Sequence, residues 1–187
     1  MSYKYFVVSL PRTGTNSITE MANICGLRTK HCPFEYFDVY VENDNYDFYS
    51  DTPVYVPSVI EKLCLKDNVK FIYIDRPYSE IFNSWINYGL FRTYNEMIIE
   101  NERKTISRGR LFDFKSYNES FSDKKLSETT YDEIFNQHKE IVIDLIGKYN
   151  KELLIYKFSD GWEPFCDFLQ VQIPDVEIPK LNHSKKK

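Results

Sequence analysis

The chain has 187 residues, 42% of them hydrophobic and 28% charged, with a formal net charge of −4. That length suits one α/β domain with a substantial core, and the negative balance argues mildly against bulk nucleic-acid binding, so any anion site has to be local. Aromatic residues reach 17%, mostly as core filler, with a share left for flat pocket walls.

The stretch from Tyr5 to Ile18 reads as a buried strand, a tight polar turn and the first turn of a helix. Phe6, Val7 and Val8 form the short apolar run of a strand covered on both faces. Pro11 and Gly14 break that run. Thr13, Thr15, Asn16 and Ser17 are residue types that satisfy backbone groups where a helix begins. Ile18, Met21, Ala22 and Cys25 then share one helical face, and Gly26 suits the position after the last turn. A strand feeding a helix through such a turn aims several N–H groups and the positive end of the helix dipole at one spot. Arg12 adds a permanent charge with a planar fork of donors. The spot is an anion site, for phosphate or sulfate.

Leu27 to Cys32 is expected as a short strand closed by Pro33. From Glu35 to Asp51 there are six acidic residues (Glu35, Asp38, Glu42, Asp44, Asp47 and Asp51), six Tyr or Phe, and no Lys or Arg. This segment reads as a solvated lid or loop with an aromatic underside, in preference to a dedicated binding face. Val54 to Val56 is expected as another strand. Pro57 opens a helix with Val59, Ile60, Leu63 and Cys64 on one face. Val69 to Ile74 is the second clear strand, β-branched and aromatic. It ends in Asp75-Arg76-Pro77, and the proline opens a helix with Ile81, Phe82, Trp85 and Ile86 on one side. Repeated strand–helix units imply right-handed crossovers and a parallel sheet.

Residues 92–129 are polar and irregular, with one helical piece around Met97 to Thr105. Their basic cluster (Arg103, Lys104, Arg108, Arg110, Lys115) marks either a flexible solvated segment or a cover over an anionic ligand. Thr130-Tyr-Asp-Glu133 reads as a capping box opening a helix with Ile134, His138, Ile141 and Leu145 on one face. His138 is a satisfied, half-buried structural histidine on this reading. Leu153 to Tyr156 is the last core strand, and Trp162 to Leu169 a short helix with an aromatic face. The tail, 173–187, is expected to be extended. The fold expected is three-layer α/β/α around a central, mostly parallel sheet, in a single domain over 1–187.

Four cysteines and three histidines show no C-x-x-C pair or zinc-like spacing, which points to reduced thiols, a cytoplasmic location and no metal. Met1-Ser-Tyr-Lys4 carries no signal-peptide pattern, and no apolar run approaches membrane-spanning length.

In an open parallel sheet, ligands sit outside the carboxyl ends of the strands, and Arg12 and Arg76 both follow such ends. Ser84 lies about two turns into the helix after Arg76, within reach of the same oxyanion. The fold thus puts two anion sites on one rim, as a ligand with phosphates at two positions requires. Alone, Arg76 would read as a structural salt bridge with Asp75 or a neighbour.

Taken together, Ser9-Leu-Pro-Arg-Thr-Gly-Thr-Asn-Ser17 resembles the 5′-phosphosulfate loop of sulfotransferases that use 3′-phosphoadenosine-5′-phosphosulfate (PAPS). Ile74-Asp-Arg-Pro-Tyr-Ser-Glu-Ile-Phe-Asn-Ser84 is similar to their 3′-phosphate segment. The end of the chain, Leu153 to Leu169 followed by Ile178-Pro-Lys-Leu-Asn182, resembles a compact bacterial and algal-type subgroup with the Pro-Arg-Thr-Gly-Thr loop. The likeness fails over 92–129 and is vague over 33–52, where such families bind their acceptors. Many cytosolic members carry Lys at the position of Arg12 and an adenine-stacking aromatic at that of Ser17, so the adenine needs another wall.

The resemblance implies in-line sulfuryl transfer from PAPS, leaving 3′-phosphoadenosine-5′-phosphate (PAP), to an acceptor hydroxyl or amine. Arg12 and the backbone of Thr13, Gly14, Thr15, Asn16 and Ser17 are assigned to the phosphosulfate, and Arg76 with Ser84 to the 3′-phosphate, with no metal. The general base is His31 or Asp51, nearly equal in rank, with Glu35 third. The expected partner is a small-molecule or glycan-like acceptor, cationic or sugar-like in view of the acidic aromatic segment, with no nucleic acid and no membrane. Two rivals stand beside this reading. A small-molecule or nucleoside kinase needs G-x-x-x-x-G-K-[ST], which Gly14 does not complete. A non-catalytic PAPS- or PAP-binding module would keep both arginine sites and lose the base.

Overall fold

The computed structural model describes residues 3–33, 45–51, 53–77, 79–81, 84 and 128–181, with the backbone alone at 128–134. Five strands form one sheet in the order β2-β3-β1-β4-β5, and every pairing is parallel. They are β1 (Lys4–Val7), β2 (Thr29–His31), β3 (Phe48–Ser50), β4 (Val69–Ile74) and β5 (Leu153–Tyr156). Among the described residues the helices with defined bounds are α1 (Thr15–Ile24), α2 (Pro57–Cys64), α3 (Glu128–Lys148) and α4 (Glu163–Leu169), with a 3-10 turn at Phe158–Asp160, and residues 79–81 and 84 are helical as well.

Alternation along the strands divides the core into two layers, because successive side chains leave a strand on opposite faces. Tyr5 and Val7 of β1, Phe48 of β3, and Ile72 and Ile74 of β4 pack with Ile18, Met21 and Ala22 of α1 and Phe165, Cys166 and Leu169 of α4. Phe6, Tyr49, Phe71 and Tyr73 face the other way, onto Val59, Ile60 and Leu63 of α2 and Phe135, Val142 and Ile146 of α3. Phe6 and Tyr49 stack at 5.1 Å between ring centroids and lie within 10° of parallel, holding β1 against β3 in that layer. Helices on both faces give the three-layer α/β/α architecture expected from the sequence.

Several elements differ from the expectation. The acidic, aromatic segment contains β3: Phe48, Tyr49 and Ser50 are all buried, because the strand lies second from the edge with helices on both sides. Asp47, at its foot, is neutralised by Arg28, which donates Nε and Nη2 to its two carboxylate oxygens at 2.9 and 2.6 Å. These bonds hold the Asp47 carboxyl below its ordinary range. Residues 35–44 of that segment lie outside the described residues.

Val54 to Val56, expected as a strand, form a buried turn instead, with Val54 N–H bonded to Asp51 O and Val56 N–H to Pro53 O. Pro57 takes the expected first position of α2. Helix α3 already runs at Glu128, so Thr130 and Glu133 lie inside it and do not cap it. Its buried line is Phe135, His138, Val142 and Ile146, one position away from Ile141 and Leu145. The basic cluster at 103–115 and the side chains of Phe82, Trp85 and Ile86 fall outside the described residues. In the tail, 171–181 form no helix or strand.

All four cysteines are free thiols, and burial pushes Cys25 up to about 12 and Cys64 to about 11. No described helix is long and apolar enough to cross a membrane.

His138 is fully buried, not half-buried, between Tyr55 and Tyr73, and its Nε2–H donates to the Tyr55 carbonyl at 2.9 Å. Burial lowers its pKa from 6.5 to about 4. Between those values the unfolded chain takes up a proton that the native state refuses, so stability falls as pH drops through this window. Lowering the pH from 7 to 4.5 should cost wild-type protein roughly 2–3 kcal/mol through this group alone. Urea unfolding at the two pH values is expected to show a smaller loss in His138→Gln.

Candidate active site

The sheet order creates a topological switch between β1 and β4: the chain leaves β1 toward β2 on one side and leaves β4 toward β5 on the other. The ends of these strands therefore open a crevice that neither crossover covers. They are tied together just beyond the ladder, where Val8 N–H bonds Ile72 O at 2.9 Å and the Ser9 hydroxyl accepts from Ile74 N–H. The turn that follows has two left-handed residues, Arg12 at φ +71° and Gly14 at φ +116°. Such backbone costs about 1–3 kcal/mol at a non-glycine residue and persists only where its surroundings fix it.

The surroundings of Arg12 do fix it. Its carbonyl accepts from Arg76 Nη1 at 3.2 Å, and its Nε donates to Ser84 Oγ at 3.2 Å. Arg76 also pairs with Glu80 through Nε at 2.9 Å, the neighbour salt bridge anticipated as its alternative role, though with Glu80 and not Asp75. Asp75 pairs with Lys139 at 3.0 Å and lies 3.8 Å from Lys157.

The polar side chains expected to cap α1 have other partners. Gly14 is the N-cap and no side-chain cap bond is made. Thr13, buried, donates back to Leu10 O at 2.8 Å. Thr15 donates to Asp51 Oδ2 at 2.8 Å, and Ser17 accepts from the backbone N–H of Leu181 at 3.0 Å. The first turn of α1 thus faces the crevice with backbone N–H groups, the arrangement that binds anions.

A pocket of about 50 Å³ is lined by Arg12, Gly14, Thr15, Asn16, Asp51, Arg76, Ser84 and Leu181. The sequence separates Arg12 from Arg76 and Ser84 as two anion sites; in the fold all three share this pocket. Thr13 and Ser17 do not line it. Arg76 also lines an adjoining cleft of about 470 Å³, whose walls include Ile81, Phe135, Lys139, Lys157 and Phe158. The two cavities together carry four basic against three acidic residues, opposite in sign to the whole chain.

Asp51 lines the small pocket; His31 is not among the lining residues and lies 3.7 Å from Asp51, Nε2 to Oδ2. They meet because β2 and β3 pair with His31 opposite Ser50, one residue before Asp51. Asp51 takes φ +69°, a conformation that Asp tolerates. Burial lowers the His31 pKa, with Asp51 opposing the shift, so the ring is neutral at neutral pH. Glu35 lies outside the described residues.

Lys139, Lys157, Phe158 and Leu181 were not singled out from the sequence. Lys157 and Phe158 had a signal available: they follow β5 immediately, at the same rim of the sheet. Leu181 lies in the Ile178-Pro-Lys-Leu-Asn182 stretch that carries part of the resemblance, whereas Lys139 had no signal, since it reaches the cleft through packing of α3.

A parallel three-layer sheet with an arginine-lined pocket at its switch point defines an α/β protein built to hold an oxyanion. The sulfotransferase domain family matches residues 29–187, and the chain belongs to it. That match includes the Arg76–Ser84 stretch and the C-terminal region but not the loop at Arg12, whose place in the site rests on the geometry above. No curated protein matches the chain.

A Cβ built on Gly14 would stand 2.5 Å from the Phe158 ring, whereas one on Gly26, at φ +85°, meets nothing within 4 Å. Gly14→Ala should therefore lower the unfolding free energy by about 2–3 kcal/mol and Gly26→Ala by about 1 kcal/mol, as read by urea denaturation.

Proposed function

We propose that this sulfotransferase uses PAPS as its donor and moves the sulfuryl group to an acceptor hydroxyl or amine by in-line displacement. The convergence of Arg12, Arg76 and Ser84 on one small pocket at the β1–β4 switch point carries the reading. The adjoining cleft is roomy enough for a nucleoside, and Phe158 on its wall supplies the flat apolar surface that the sequence left unassigned for adenine.

On this reading Arg12 and the N-terminal turn of α1 hold the phosphosulfate and stabilise the charge that builds on the departing phosphate oxygen. Fixed donors of this kind are typically worth about 3–4 kcal/mol of barrier each. Arg12 stays charged and supplies no proton. Arg76 and Ser84 hold the 3′-phosphate, and Glu80 yields Arg76 Nε when that anion arrives. His31 and Asp51 receive the acceptor's proton. The acceptor is a small molecule or glycan, and the neighbouring acidic, aromatic segment favours a cationic or sugar-like one.

Calorimetric titration tests the donor. PAP is expected to bind more tightly than ATP and without magnesium, and Arg76→Ala to weaken PAP about 10- to 100-fold, the size of a lost charge-assisted contact. Tighter binding of ATP, or a strict magnesium requirement, would instead support a kinase. His31→Ala and Asp51→Asn should each lose about 100-fold or more in turnover while keeping PAP affinity; turnover unchanged in both would leave the site without its base.

A further inference from the structure

Beneath the small pocket, three hydroxyl-bearing residues form a chain whose protons can be assigned one by one. Thr19 Oγ1 lies 2.6 Å from the Thr15 carbonyl oxygen. A carbonyl only accepts, so the single hydroxyl proton of Thr19 is committed there. Thr19 Oγ1 also bonds Ser50 Oγ, and with its own proton spent it must accept, making Ser50 the donor. The proton of Ser50 is thereby spent too. Ser50 Oγ contacts His31 Nδ1 at 2.9 Å, and only an N–H on Nδ1 makes that contact a hydrogen bond. Neutral His31 is left with an unprotonated Nε2, on the side of Asp51.

We infer that Thr19 and Ser50 are positioning residues that fix the Nδ1–H tautomer of His31, so that Nε2 is the atom that takes the acceptor's proton. Asp51 is then the counter-charge. Its Oδ2 already accepts from Thr15 at 2.8 Å, and it lies 3.7 Å from Nε2, ready to face the new N–H. Among the described residues, the charged group acting on the ring is Asp51; α1 contributes hydroxyls, and Arg12 and Arg76 belong to the same pocket as Asp51. The lowered pKa of His31 keeps Nε2 unprotonated between turnovers. The order of protons stands on the fold alone, whereas the use of Nε2 rests on the sulfotransferase reading.

The step balances. The acceptor oxygen or nitrogen forms its bond to sulfur and gives one proton to Nε2. The bond from sulfur to the bridging phosphate oxygen breaks, and its electron pair leaves with PAP. The imidazolium holds the proton between Ser50 and Asp51 until it passes to solvent.

Long-range proton–nitrogen NMR on the full-length protein, above the titration of His31, tests the inference, with the ring assigned by its loss in His31→Gln. The expected spectrum shows Nδ1 protonated and Nε2 bare, and a switch to mainly Nε2–H in Ser50→Ala. Thr19→Val, close in shape, releases the Ser50 proton toward Nδ1 and should switch the tautomer in the same direction. Both variants are expected to lose about tenfold in turnover, with PAP affinity changed less than about twofold. A protonated Nε2 in the wild-type protein, or a tautomer unmoved in both variants, would overturn the inference. The stated tautomer in a protein without PAP affinity would instead overturn the sulfotransferase reading, so the two failures are distinguishable.

Discussion

The bond from Arg76 to the carbonyl of Arg12 joins two residues 64 positions apart and holds the site together. Arg12 sits in a left-handed conformation that a side chain of its size rarely adopts. A guanidinium from the next strand over meets its carbonyl and so holds the turn open toward the crevice. The parallel pairing of β1 with β4 makes this contact reachable, and the Ser9–Ile74 bond keeps the two strand ends in register. Loosening that junction would move both cationic groups at once, so fold and site are coupled most tightly here.

A second theme is the use of small polar side chains as internal fasteners. Thr13, Thr15 and Ser17 sit in or beside the first turn of α1, where sequence logic expects helix caps, and Thr19 follows in the next turn. Each is engaged elsewhere: Thr13 with Leu10, Thr15 with Asp51, Ser17 with the tail at Leu181, Thr19 with Thr15 and Ser50. These bonds draw β3 and the C-terminal tail onto α1. They also leave the helix N-terminus without a side-chain cap, and an uncapped N-terminus facing a crevice is what an anionic ligand requires. The pocket thus gains binding capacity from stability that capping would otherwise have given the helix.

The acid–base corner has the same logic. His31 and Asp51 come from neighbouring strands and face each other because of β2–β3 register, with Ser50 supplying the link between them. Burial and the neighbouring carboxylate pull the imidazole in opposite directions, and burial prevails. A neutral histidine beside a carboxylate that lines a cationic pocket is an arrangement able to take up a proton.

Local chemistry made much of this legible in advance. The apolar runs of β1 and β4, the proline opening α2 and the strand-to-helix turn with its arginine are short-range patterns, and each appears where its residues dictate. Patterns that depend on neighbours misled. Tyr46 to Ser50 looks like the rim of an acidic loop until β1 lies beside it, because a strand paired on both sides needs no alternation of its own. The buried line of α3 slipped by one position because the sheet it packs on, and not the helix, selects the face. The pairing of His31 with Asp51, the arrival of Lys139 and Leu181 at the two cavities and the sharing of one pocket by Arg12, Arg76 and Ser84 are products of register and packing. The sequence alone determined that two arginines follow the carboxyl ends of strands, one of them in a turn that opens a helix; the tertiary structure decided which side chains meet them, because contacts across a sheet are set by strand order, which no local pattern encodes.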